Sequence, residues 1–72
     1  MKMTKTKKLK FYTCKFFHDV KRKILCIDMF KNNKLVHKAQ MINMNKKNTK
    51  EIIDTFDDEM AREIKSLEIE IL

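Results

Sequence analysis

The amino-acid sequence predicts an α+β fold: a three-stranded antiparallel meander followed by one C-terminal helix (βββα). Three segments rich in aromatic and other strand-forming residues come first, and a segment with apolar residues spaced three and four apart comes last. The pair Asn32-Asn33 indicates a hairpin turn between the second and third segments, because Asn tolerates positive φ. A chain of 72 residues is expected to form one small domain, at 9–72.

The element boundaries follow from the same signals. Residues 1–8 (MKMTKTKK) have no periodicity and are expected to form a mobile basic N-terminal arm. Asn48, with Glu51 three residues later, is typical of a helix N-cap. Residues 66–72 alternate apolar and acidic side chains, so a strand or a tail stays open there as an alternative to helix. The predicted elements are strands at about 9–18, 22–30 and 35–44 and a helix at about 49–70.

Turn lengths predict the strand register, and the register predicts what each face of the sheet carries. We assume a two-residue turn at Asn32-Asn33 and a three-residue turn at 19–21. The face under the helix is then Tyr12, Cys14, Phe16, Ile24, Cys26, Phe30, Leu35, Ala39 and Met41. The opposite face carries a second apolar set, Leu9, Phe11, Phe17, Leu25, Ile27, Met29, Val36, Ile42 and Met44. One helix covers one face, so the second set predicts an interaction surface.

Charge is divided unevenly along the chain. Residues 1–50 carry 15 Lys and Arg against two acids, whereas 51–72 carry eight acids against two basic residues, for a net charge of +7. The basic part is expected to attract polyanions. Most of its cations are Lys, which contacts phosphate as a point charge but reads bases poorly, so binding should be salt-sensitive and weakly sequence-specific.

These features predict a non-enzymatic nucleic-acid-binding module with a regulatory or accessory role. Lysines would contact phosphates and Phe11 and Phe17 would stack on single-stranded bases, or the sheet would lie in a duplex groove. The residues expected to bind nucleic acid or another partner are Lys5, Lys7, Lys8, Lys10, Phe11, Lys15, Phe17, Lys21, Arg22, Lys23 and Lys38. The alternative is a phage- or plasmid-type inhibitor or adaptor that blocks an acidic host protein through the second apolar face. A homodimer is compatible with either hypothesis.

Catalytic, metal and cofactor sites are not expected. The chain has no Gly, which removes every Gly-rich phosphate loop. The soft ligands Cys14, His18, Cys26 and His37 lack the Cys-x2-Cys spacing of zinc knuckles. Cys26, Asp28 and His37 share a face in the assumed register, but the chain offers no Gly-rich turn for an oxyanion site.

The remaining features indicate a cytoplasmic protein. No apolar run reaches the length of a membrane-spanning helix, and no secretory signal is apparent. Cys14 and Cys26 are expected to face each other as reduced thiols in neighbouring strands, able to form a disulfide only in an oxidising compartment. Acidic residues 57–59 are expected to form a solvated surface.

Overall fold

The structure, a computed structural model, describes residues 2–67, with side chains at 3–64. Within this range the chain forms a four-stranded antiparallel sheet with strands in sequence order, followed by two helices. The elements are β1 (Lys2–Lys8), β2 (Thr13–Asp19), β3 (Ile24–Lys31), β4 (Lys34–Ile42), α1 (Lys46–Thr55) and α2 (Asp58–Leu67). The predicted α+β class is confirmed, but the expectation of three strands and one helix is wrong in detail.

The segment expected to be a mobile arm forms β1. It pairs antiparallel with β2 along its whole length, from Lys2 opposite Asp19 to Lys8 opposite Thr13. The strand contains Lys and Thr at almost every position, so it lacks the apolar alternation by which strands are recognised. Lysines on an edge strand discourage pairing with another chain, which is a physical reason for this composition.

The β2–β3 connection is longer than expected. Residues 20–23 form the turn, Lys23 adopts φ 58°, and Asp19 lies opposite Ile24. As a result Phe16 pairs with Ile27 rather than with Ile24, a shift of three residues. An odd shift moves a strand's side chains to the other face, so the predicted face of β3 is wrong. The β3 side chains buried beneath the helices are Leu25, Ile27 and Met29.

The β3–β4 hairpin confirms the Asn32-Asn33 turn. The two residues have φ of 55° and 65°, and Phe30 lies opposite Leu35 as predicted. A register shift follows, because Met29 pairs with His37 and leaves Val36 as an extra residue in β4. Beyond this bulge, Ala39 lies opposite Ile27 rather than Cys26, which corrects the second predicted register.

The predicted single helix at 49–70 is two helices separated at Phe56. Phe56 leaves the helical conformation with ψ of 130° and is 1% exposed. Its ring packs edge-to-face on Phe16, with centroids 5.2 Å apart and planes at 84°. Asp57 then caps the N-terminus of α2, because its Oδ1 accepts the backbone N–H of Met60 at 2.9 Å. Part of the segment 66–72, where strand or tail was an alternative, lies outside the described residues.

The N-cap of α1 is Asn45 rather than Asn48. Asn45 has extended backbone angles, and its Oδ1 accepts the N–H of Asn48 at 2.9 Å. The helix therefore begins one turn earlier than predicted. Thr49 therefore lies one turn into α1 rather than at its first position, and it is buried at 2% exposure.

Asp58 ties the β1–β2 loop to the start of α2. Its carboxylate accepts backbone N–H groups from three consecutive residues, Lys10 at 3.0 Å, Phe11 at 3.0 Å and Tyr12 at 3.2 Å. An anion at this position also suits the positive end of α2. The expectation that residues 57–59 are merely solvated is therefore wrong for Asp58.

Replacing Asp58 should destabilise the fold. Asp58→Ala removes the acceptor of three loop N–H groups, and we expect the free energy of unfolding to fall by about 1–3 kcal/mol. Urea denaturation measures this change. Glu59→Gln is the control, since Glu59 is an exposed acid in the same helical turn. Equal urea midpoints for the two variants would contradict the role of Asp58 in holding the β1–β2 loop.

The two cysteines should differ in reactivity, because they lie on opposite faces of the sheet. Cys14 is fully buried opposite Met29, whereas Cys26 is half-buried on the other face, so the predicted facing pair is wrong. Burial, reinforced by the charge of Asp58, raises the pKa of the Cys14 thiol from 9.0 to about 11. At pH 8, iodoacetamide should alkylate Cys26 in the folded protein and Cys14 only after unfolding, as read by mass spectrometry. Simultaneous alkylation would contradict the β2–β3 register.

The Cys14 thiol should also make stability depend on alkaline pH. Its pKa is higher in the folded protein than in the unfolded chain, so the unfolded chain ionises first. The resulting contribution to stability is complete below pH 9.0 and is lost as pH rises to about 11. Cys14→Ala should remove this part of the pH dependence of the unfolding free energy, as measured by urea titrations. An unchanged pH dependence would show that it does not arise from the Cys14 thiol.

Candidate functional site

The candidate site is the face of the sheet turned away from the helices, which we call the open face. Strand alternation and register assign its residues. From β1 and β2 they are Thr4, Thr6, Lys8, Thr13, Lys15, Phe17 and Asp19, and from β3 and β4 they are Ile24, Cys26, Asp28, Phe30, Leu35, Lys38, Gln40 and Ile42. The helices pack on the other face, where Phe56 and Ala61 join the core. Within the described chain, no element covers the open face.

A row of alternating charge crosses the middle of the open face. Lys15 lies opposite Asp28, and Asp28 lies opposite Lys38 on the next strand. Cross-strand neighbours of opposite charge attract, so Asp28 favours the placement of both ammonium groups on this face. The two lysines remain exposed to solvent. They can therefore contact an anion that lies across the sheet.

Next to this row lies a row with an aromatic ring. Phe17 is 38% exposed and lies opposite Cys26, which in turn lies opposite Gln40. The Gln40 Nε2 is 3.9 Å from the Cys26 Sγ, a weak contact. The two rows border a shallow depression of about 400 Å³. Its lining residues are Phe17, Asp19, Arg22, Ile24, Cys26, Asp28, Lys38 and Gln40.

A second ring lies at the far end of the same face. The Lys15 Nζ lies 5.3 Å from the centroid of the Phe30 ring, in a cation–π arrangement. Phe30 is opposite Thr13, four residues along β2 from Phe17. Strand geometry therefore separates the two rings by roughly 14 Å. The open face thus offers two aromatic positions with a charged row between them.

The structure brings together some of the predicted binding residues. Lys8, Lys15, Phe17 and Lys38 share the open face. The predicted residues 21–23 lie in the turn at one end of it, where Arg22 donates its backbone N–H to Asp19 at 3.2 Å. The Arg22 Nε is 3.9 Å from the same carboxylate.

Other predicted residues lie elsewhere. Lys5 and Lys7 are on the helix side of β1, opposite the buried Phe16 and Cys14. The Lys7 Nζ donates to the carbonyl oxygens of Ile53 at 2.7 Å and Asp54 at 3.1 Å, at the end of α1.

Lys10 and Phe11 lie in the β1–β2 loop held by Asp58. Phe11 is 55% exposed, and the Lys10 Nζ is 5.5 Å from its ring centroid. The predicted coplanar arrangement of Phe11 and Phe17 is therefore wrong, since Phe11 precedes β2 and belongs to the loop rather than to the open face.

The sequence-based assignment missed Ile24, Cys26 and Phe30 on this face, because it assumed the wrong register. The sequence did contain one signal for the correct register of β3. The alternate β3 set Leu25, Ile27 and Met29 contains no charge, whereas the set chosen for the core contains Asp28. Burying an ionised carboxylate is costly, so Asp28 should have assigned its own set to the exposed face.

Charge is also divided across the sheet. Between positions 46 and 64, the two helices and the link between them carry six acids against four basic residues. The basic residues of the open face and the turn at 20–23 are Lys8, Lys15, Lys21, Arg22, Lys23 and Lys38, against the two acids Asp19 and Asp28. Lys5 and Lys7 also lie on the helix side, so charge there is close to balanced, whereas the open face and its turn carry a net positive charge that attracts a polyanion.

The expectation that Cys26, Asp28 and His37 share a face is wrong. His37 pairs with Met29 on the helix side, whereas Cys26 and Asp28 are on the open face. Among residues 2–67, no three His, Cys, Asp or Glu side chains are grouped as metal ligands. In the same range, no helix has the length and apolar character needed to cross a membrane.

Comparison with known proteins finds no relative of this chain. The chain matches no protein-family model, no curated protein and no solved structure. Its function is therefore inferred from the chemistry of its surfaces. The surface with the most complete set of groups for one kind of ligand is the open face, where the row with Lys15 and Lys38 lies between the rows that contain Phe17 and Phe30.

Proposed function

We propose that this protein binds single-stranded nucleic acid on the open face, as a non-enzymatic module with an accessory or regulatory role in the cytoplasm. The observation that carries the proposal is the position of exposed Phe17 beside the lysine-containing row of Lys15 and Lys38. On the opposite side of the sheet, the acids of the helices are balanced by lysines of α1 and β1. A polyanion with exposed aromatic bases matches both properties of this face.

The groups on the open face have different roles in this proposal. Lys15 and Lys38 neutralise phosphates, and the ring of Phe17 stacks on a base. Asp28 lies between the two lysines and repels phosphate, so it favours a base over the backbone at the centre of the row. Gln40 has both a donor and an acceptor for a base edge. The few polar groups present support weak sequence preference.

A single strand fits this face better than a duplex. Phe17 and Phe30 act by stacking, which requires base faces that a duplex keeps inside its own stack. The rings lie within a paired sheet, so their Cα positions are fixed before binding. Preorganised rings reduce the entropy lost on binding.

A second candidate function is supported by apolar residues on the same face. Leu35 is 47% exposed and Ile42 is 69% exposed, at opposite ends of β4. In this alternative the protein is a phage- or plasmid-type inhibitor or adaptor, or a homodimer, that uses these side chains as hot spots. Binding would then depend on Leu35 and Ile42 rather than on Lys15.

Substitution of the two open-face lysines tests the proposal. Fluorescence anisotropy with a labelled single-stranded oligonucleotide, at several salt concentrations, should show binding to the native protein. The double variant Lys15→Gln/Lys38→Gln should bind more weakly, and its salt slope should decrease by roughly 1.4, about 0.7 for each lost phosphate contact. Lys34→Gln/Lys47→Gln is the control, since it removes equal charge from exposed positions off the open face. Equal losses in both double variants would refute a localised site.

Phe17 tests the stacking component separately. Phe17→Ala should weaken single-strand binding by about 1–3 kcal/mol and leave the salt slope unchanged, because stacking releases no counterions. Leu35→Ala is the matched apolar control on the same face. If Leu35→Ala weakens binding as much as Phe17→Ala, or if the native protein fails to bind at low salt, the second candidate function is favoured.

Cys26 provides a footprint that needs no substitution. Its thiol lies opposite Phe17 within the proposed site. A saturating oligonucleotide should slow alkylation of Cys26, and high salt should restore the rate. An alkylation rate at Cys26 that is unchanged at saturation would place the bound strand elsewhere.

A further inference from the structure

A basic groove lies between β1 and α1, on the opposite side of the sheet from the open face. Its volume is about 290 Å³, and it is lined by Met3, Lys5, Lys46, Thr49, Lys50, Ile53 and Asp54. Lys46 and Lys50 are one helical turn apart in α1, and Lys5 faces them from β1. Three ammonium groups against one carboxylate make the lining of this groove positive.

A smaller cavity of about 80 Å³ adjoins the groove. It shares Met3, Lys5, Thr49 and Ile53 with the groove, and Phe16 and His18 line it as well. A single water needs roughly 15 Å³ of such space. The cavity therefore has room for a polyatomic group that enters from the groove.

Two buried polar atoms among the residues that line this cavity have no hydrogen-bond partner in the part of the chain that the structure describes. His18 and Thr49 are each 2% exposed, and the unpartnered atoms are the His18 Nδ1 and the Thr49 Oγ1. The His18 Nε2 is 2.7 Å from the Met44 carbonyl oxygen, so this nitrogen donates and Nδ1 of the neutral ring is an acceptor. Buried polar groups normally have partners, so a polar group bound at this position would complete the hydrogen bonding of both side chains.

The chemistry of the lining specifies the occupant further. An oxyanion with a protonated oxygen can donate to the His18 Nδ1 while its other oxygens accept from Thr49 and from lysines. A phosphoryl group has this combination, because a phosphate monoester is partly protonated near neutral pH. The Lys50 side chain is held at the groove by a hydrogen bond, because its Nζ donates to the Asp54 carboxylate at 2.8 Å.

We propose that the basic groove binds a phosphoryl group, with its oxygens directed toward Thr49 and His18 and its charge neutralised by Lys5 and Lys46. The group belongs either to a small phosphomonoester or to the phosphorylated end of an oligonucleotide. Met3, which is 48% exposed, and Ile53 provide apolar contacts for the remainder of the ligand. This site is separate from the open face and does not depend on the function proposed for that face.

Inorganic phosphate is the first probe. In ¹H–¹⁵N NMR titrations with sodium phosphate, at ionic strength held constant with sodium chloride, the amides of Lys5, Thr49 and Lys50 should shift and saturate. Lys46→Gln should weaken this binding roughly three- to tenfold, whereas Lys47→Gln should not, since Lys47 is an exposed neighbour that does not line the groove. Linear shifts that never saturate, or equal effects of both variants, would overturn the proposal.

Thr49→Val tests the buried hydroxyl at nearly constant shape. We expect phosphate binding to weaken at least as much as in Lys46→Gln, with the rest of the NMR spectrum retained. If Thr49→Val retains native affinity, the cavity holds water rather than the ligand and the proposal fails in this form. Lys46→Gln stays informative even if the valine variant folds poorly, because Lys46 is exposed.

A short oligonucleotide with and without a 5′-phosphate distinguishes the two sources of the group. Saturation of the groove amides only with the phosphorylated form would assign an oligonucleotide end, and saturation with phenyl phosphate alone would assign a small ligand. Absence of both responses would overturn the proposal. The Lys15→Gln/Lys38→Gln variant should bind inorganic phosphate as the native protein does, so failure of the open-face function leaves this test intact.

Discussion

The pairing of β2 with β3 decides which chemistry each face of the sheet carries. Side chains alternate between faces, so the turn at residues 20–23 determines at once what is buried and what is exposed. By placing Asp19 opposite Ile24, it puts Phe16 and Ile27 side by side in the core. The same pairing sends Asp28 outward, where it lies between two lysines. Core and candidate site are therefore consequences of one register, and a turn shorter by one residue would exchange the two sets of β3 side chains between the faces.

Two long-range polar contacts hold the helices on the sheet. Both involve charged side chains, Lys7 and Asp58, which composition alone would place in solvent. Lys7 donates to carbonyl oxygens at the end of α1, and Asp58, in the first turn of α2, accepts three N–H groups of the β1–β2 loop. Each charge suits the helix end that it contacts. Lys7 is consequently less available to a polyanion, so the positive charge that can act in binding is concentrated on the open face and in the groove beside α1.

The α+β class and the Asn32-Asn33 turn were predictable, because apolar periodicity and Asn at positive φ are local properties. β1 was not, since an edge strand of Lys and Thr has no apolar alternation and is defined by its partner. The helix break at Phe56 was not either, because it results from a ring packing on Phe16 across the core. Of the candidate site, Lys15, Phe17 and Lys38 were predictable from composition, whereas their neighbours from β3 required the register.

The edges of the sheet favour binding through a face rather than through strand addition. β1 is rich in lysine along its length, and β4 carries a bulge at Val36. If two copies of β4 paired antiparallel over Lys34–Ile42, the central Lys38 of one copy would lie opposite Lys38 of the other, and like charges directly opposite are destabilising. The same lysine thus opposes edge-to-edge dimerisation and supplies positive charge to the open face. A partner that satisfies Lys38 must bring negative charge to it, which a second copy of this strand does not.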